Sequence, residues 1–119
     1  MAENNQSRNP QYLRDVHGRQ IAGAIRDRYL VKVVRGSKHM LRSPKGWAID
    51  AHALATARAA GAAGVRVEDT ETGAVYLADW AAVDAHGWAF DRGHGRQIAL
   101  PLHYWQVVGM PVQDALLIA

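Results

Sequence analysis

The chain has 119 residues, 49% of them hydrophobic and 21% charged, with no cysteine and a formal net charge of +3 at neutral pH. That length suits one domain whose core closes without covalent staples. The lack of cysteine excludes disulfides and thiolate-bound metal, and no apolar run approaches the roughly 20 residues of a membrane span.

The charge is unevenly placed. Residues 1–50 hold ten Lys/Arg and four Asp/Glu, whereas residues 51–119 hold four and seven. Between 26 and 45, seven basic residues stand against the single acid Asp27. Clustered positive charge attracts phosphates before contact, so a polyanionic partner is the first expectation. A solvated basic face balanced by the acidic half is the plainer alternative.

Residues 1–11 (MAENNQSRNPQ) have the polar composition of a disordered tail and lack the apolar core of a secretory signal. A cytoplasmic protein with one globular domain over 12–119 is therefore expected. Tyr12, Leu13, Val16, Ile21 and Ile25 fit a broken amphipathic helix, weakened by Gly18 and Gly23. Tyr29–Arg35 is rich in β-branched residues and predicts a strand. Gly36-Ser37 then predicts a turn, and Lys38–Arg42 a second strand pairing back on the first. Ser43–Gly46 breaks the chain again.

Asp50 is a candidate N-cap for an alanine-rich helix over 51–63, with Gly64 as its stop. Val65–Asp69 alternates apolar and polar residues, Glu71-Thr72-Gly73 supplies turn chemistry, and Ala74–Ala78 returns as the partner strand. Asp79–His86 predicts a short helix ended by Gly87. Trp88–Asp91 and Gln97–Leu100 predict strands joined by the glycine turn Arg92–Arg96, with Pro101 at a strand end. His103–Val108 is aromatic and apolar, and the chain closes on the apolar segment Leu116–Ala119. The expected fold class is α+β: a mainly antiparallel sheet of hairpins in ββ-α-ββ-α-ββ order, with short helices packed on one face.

HGRQIA occurs twice, at His17–Ala22 and His94–Ala99, each preceded by an aspartate, Asp15 or Asp91. It reads either as two equivalent loops presenting His, Arg and Gln, or as coincidence in a composition rich in Gly, Ala and Arg. Asp-x-His also recurs, at Asp15/His17, Asp50/His52 and Asp84/His86. Residues two apart share a face only in a strand, and Asp50 and Asp84 fall in predicted helices, so no metal is expected. Gly93-His94-Gly95 lacks the remainder of any phosphate-loop motif, and no cofactor is expected. Ser7, Ser37 and Ser43 lie in the tail or in turns, so no nucleophile is assigned.

The candidate interface is the basic strand pair. Arg35, Lys38 and Arg42 would hold phosphates beside His39, while Arg28, Lys32 and Lys45 add positive field. Arg92 and Arg96 extend it if the glycine turn lies nearby. Tyr29, Trp47, Trp88, Tyr104 and Trp105 could stack on bases, but none lies inside the basic run, and the four tryptophans read more simply as core. The function expected is nucleic-acid or polyanion binding. Two alternatives are an assembly module that meets an acidic protein surface or oligomerises through the C-terminal apolar segment, and a metal-independent ribonuclease using His39 or His94.

Overall fold

A computed structural model describes residues 11–14, 20–42, 45–93 and 95–109, with the backbone alone described at 11–14, 20–22, 37, 38 and 42. Residues 1–10 of the expected tail and the apolar C-terminal segment lie outside the described residues. The fold is mixed α+β and mostly strand. Its strands are β1 (Gln11–Arg14), β2 (Gln20–Arg26), β3 (Tyr29–Val34), β4 (Met40–Arg42), β5 (Lys45–Asp50), β6 (Gly64–Asp69), β7 (Val75–Asp79), β8 (Trp88–Arg92), β9 (Gly95–Pro101) and β10 (Gln106–Gly109). The helices are α1 (Ala51–Ala59), between β5 and β6, and α2 (Trp80–His86), between β7 and β8. Short 3₁₀ turns occupy Gly36–His39 and Leu102–Tyr104.

The strands form two sheets, a six-stranded one ordered β1-β2-β3-β6-β7-β10 and a four-stranded one ordered β4-β5-β9-β8. All pairings are antiparallel except β3 with β6. The order ββ-α-ββ-α-ββ is present in part. It runs from β4 to β9, with three strands before it and one after, and its strands are divided between the sheets.

One hydrophobic core serves both sheets: Leu30 and Val34 from β3, Val65 and Val67 from β6, Trp47 and Ile49 from β5, and Leu100 from β9. Ala53, Leu54 and Ala57 of α1 complete it. The small side chains of α1 let it pack against strands of both sheets, so it does not lie on one face of a single sheet. No helix among the described residues is long and apolar enough to cross a membrane.

Several local expectations are met. Asp50 Oδ2 accepts from the Ala53 amide at 2.9 Å, and Asp79 Oδ1 accepts from the Ala82 amide at 2.9 Å, so each caps its helix. The β6–β7 hairpin places Val65 opposite Ala78. Other expectations give way to tertiary structure. The described part of the expected helix over 12–27 is the strand pair β1–β2. β3 does not pair with β4: its neighbours are β2 and β6, while β4 pairs with β5. The two-stranded basic ribbon is thus absent, because Gly36–His39 carries the chain from one sheet to the other.

Candidate functional site

Gly36, in the left-handed region at φ 66°, opens that crossing and donates its amide to Asp69 Oδ1 at 2.8 Å. Asp69 is buried at the end of β6. It also accepts from the Glu71 amide at 2.9 Å and the Thr72 hydroxyl at 3.0 Å. Burial pushes its carboxyl upward, but these donors outweigh that and hold it below the usual carboxylate range. A Cβ at Gly36 would run into the Glu71 carboxylate. The segment that carries Arg35, Lys38 and His39 is therefore seated on an acidic turn. His39 Nδ1 accepts from the Arg35 amide at 3.0 Å, so in the neutral ring the proton sits on Nε2. The basic nitrogen, Nδ1, is thus committed to the turn, which weakens the case for His39 as a general base.

The remaining predicted cations disperse. Arg28 lies in the tight β2–β3 turn, where Asp27 and Arg28 both have positive φ (52° and 76°), the geometry of a type I′ turn. Arg35, at the other end of β3, is a strand length away. Lys32 shares the core-facing side of β3 with Leu30 and Val34, which are 2% and 1% exposed. Its ammonium donates to the Ala48 carbonyl at 2.6 Å, just past the point where the β4–β5 register ends at Met40–Trp47. Desolvation lowers the Lys32 pKa, the positive charge of Arg92 lowers it further, and Asp50 opposes both. Lys32 is an inward group here and adds little to an outer field.

In the four-stranded sheet, Arg42 and Lys45 are register partners at one end, while Arg92 and Arg96 belong to the β8–β9 hairpin at the other. Lys45, Arg92 and Arg96 are exposed; the Lys38 and Arg42 side chains and His94 lie outside the described residues. Arg96 Nε stands 3.6 Å from Asp91 Oδ1, a long exposed pair of little energetic weight. Elsewhere the second half neutralises the first: Glu68 on β6 accepts from both Arg26 on β2 and Arg66 on β6. Of the Asp-x-His pairs, Asp15/His17 lies outside the described residues; in the other two Asp50 caps α1, Asp84 takes a bidentate contact from Arg58 at 2.7 Å, and the His86 ring stacks on Tyr104 at 3.7 Å.

Sequence reasoning missed the row that stands clear of this network. On the edge strand β8, Trp88, Phe90 and Arg92 alternate along one face. Trp88 is 40% exposed, its ring centroid lies 5.2 Å from that of Phe90, and the Arg92 guanidinium sits 5.8 Å from the Phe90 centroid. Gly95, opposite Arg92 in the hairpin, adds no side chain to shield it. The period-two spacing W-x-F-x-R was the available signal. It was masked by counting every tryptophan as core, which holds for Trp47 and Trp105 at 1% and 6% exposure but not for Trp88.

Comparison with family models, curated proteins and solved structures yields no match. The functional reading therefore rests on this geometry alone. The first HGRQIA copy contributes Gln20–Ala22 to β2 and the second contributes Gly95–Ala99 to β9, so the matching residues serve different sheets and both strands pack against α1.

Proposed function

We propose that the protein binds single-stranded nucleic acid along the β8 edge of the four-stranded sheet. One observation carries the reading: the contiguous row of exposed Trp88, half-buried Phe90 and exposed Arg92. Flat π-faces stack on any base, and an arginine beside them meets both base and phosphate, the combination that sequence-tolerant single-strand binders use. Over four residue steps the row spans about 13 Å, comparable with sheet platforms on which two or three bases stack. Arg96 across the hairpin adds positive charge near the same end, and Lys45 adds it at the far end. The basic segment at Arg35–His39 plays a lesser part, because it is seated against Asp69 and Glu71.

Fluorescence titration with mixed single-stranded DNA and RNA pools at low salt tests the reading. Trp88→Ala is expected to weaken binding by about 1–3 kcal/mol. Arg92→Ala is expected to reduce the slope of log K against log salt by about 0.7, the share of one phosphate on a single strand. Arg35→Ala should change little. Absence of binding by the wild type at low salt refutes the function, whereas loss on Arg35→Ala with none on Trp88→Ala moves the site back to the basic segment.

A further inference from the structure

A cavity of about 230 Å³ lies where β2 and β3 face the end of β5 and the start of α1. Its walls are apolar at Leu30, Ile49 and Ala53, and two ionisable groups, Lys32 and Asp50, line it. A lysine facing the core is uncommon, and this one has a structural use, since it satisfies the carbonyl of buried Ala48 on β5. That use requires one N–H, which a neutral amine supplies as well as an ammonium. The nitrogen of the neutral form then keeps a lone pair at the cavity. Apolar voids of about 150 Å³ already admit benzene, so a ring-sized molecule fits this one.

We propose that Lys32 is a reactive amine that condenses with a small apolar aldehyde or ketone seated in this cavity. The neutral amine adds to the carbonyl carbon to form a carbinolamine. The nitrogen loses its proton and the carbon loses its hydroxyl, so that an imine and one water result with no oxidant or reductant consumed. Asp50 lines the same cavity and is the carboxylate available to pass that proton; one of its oxygens is engaged in capping α1. Desolvation and the charge of Arg92 favour the neutral amine on which the addition depends and outweigh the opposing charge of Asp50. The inference is independent of nucleic-acid binding.

The chain has three lysines, Lys32, Lys38 and Lys45, and exposed Lys45 serves as the internal standard. Full-length protein is treated at neutral pH with limiting benzaldehyde and cyanoborohydride, and the reduced adducts are mapped by peptide mass spectrometry. The expected result is a majority of lysine label on Lys32, loss of that preference in urea, and protection of Lys32 but not Lys45 by excess benzyl alcohol. Equal or lower labelling of Lys32 than of Lys45 in the native protein overturns the proposal. So does a preference that benzyl alcohol leaves intact, because the amine would then react without a seat for the ligand. The comparison is made within the wild-type chain and needs no variant to fold.

Discussion

Asp69 shows how one side chain fixes the path of a segment. Its two oxygens gather donors from Gly36, Glu71 and Thr72, so the β6–β7 turn is tied to the crossing between the sheets. Replacement by alanine leaves buried amides without acceptors and is expected to cost about 2–3 kcal/mol in denaturant unfolding. The same contacts set a pH dependence. A carboxyl held below its unfolded value contributes stability that is fully present above the unfolded pKa and is lost as pH falls through the folded one. Wild-type stability should therefore drop below about pH 4, and Asp69→Ala should drop less steeply there. Parallel pH profiles for the two proteins would show that ionisation of Asp69 is not linked to folding.

At the level of elements, α1 ends earlier than its alanine run suggests. Gly61 takes φ 91°, the Ala62 amide bonds the Ala57 carbonyl at 3.0 Å, and the Gly61 amide bonds the Arg58 carbonyl at 3.1 Å. This pair of bonds is a Schellman ending. A Cβ at Gly61 meets nothing within 4 Å, so Gly61→Ala tests conformation alone. It is expected to lower stability by about 1 kcal/mol, and an unchanged melting curve would mean that the turn relaxes freely. Gly64, the stop expected from sequence, opens β6, where an added Cβ would collide with the Ala78 carbonyl. Sequence thus revealed that a helix is capped and ends on glycine, but not which glycine, because Gly64 is required by a strand partner 14 residues away. β5 was hidden for a similar reason. Lys45-Gly46 reads as a break, yet Gly46 is needed because the Leu100 backbone lies against it across the sheet. Local hairpins such as β6–β7 and β8–β9 were legible because turn chemistry and alternation agree in adjacent residues. The parallel β3–β6 pairing spans a whole β-β-α insertion and left no local trace. The candidate site was legible in its arginines and not in its aromatics, whose exposure depends on β8 being an edge.

Across the whole molecule, the charge asymmetry of the sequence is not carried into one positive surface by the described residues. Glu68 draws in Arg26, Lys32 turns inward, and the exposed cations stand at separate strand ends. The more consequential global property is the shared core. Each sheet buries its apolar side mainly against the other and α1, with α2 and the Leu102–Tyr104 turn adding cover, and β3 passes directly into β4 through one 3₁₀ turn. Neither sheet keeps a covered face if the other melts, so the two should unfold together. Leu30→Ala strikes the six-stranded sheet and Ile49→Ala the four-stranded sheet, each at an expected cost of about 2–5 kcal/mol. Both variants should shift a single urea transition in which tryptophan fluorescence and far-UV circular dichroism coincide. If Ile49→Ala instead splits the transition, with fluorescence changing before the dichroism, the four-stranded sheet is a separable unit that opens while its neighbour stays folded. The edge strand β8 would then be the part of the molecule most easily lost.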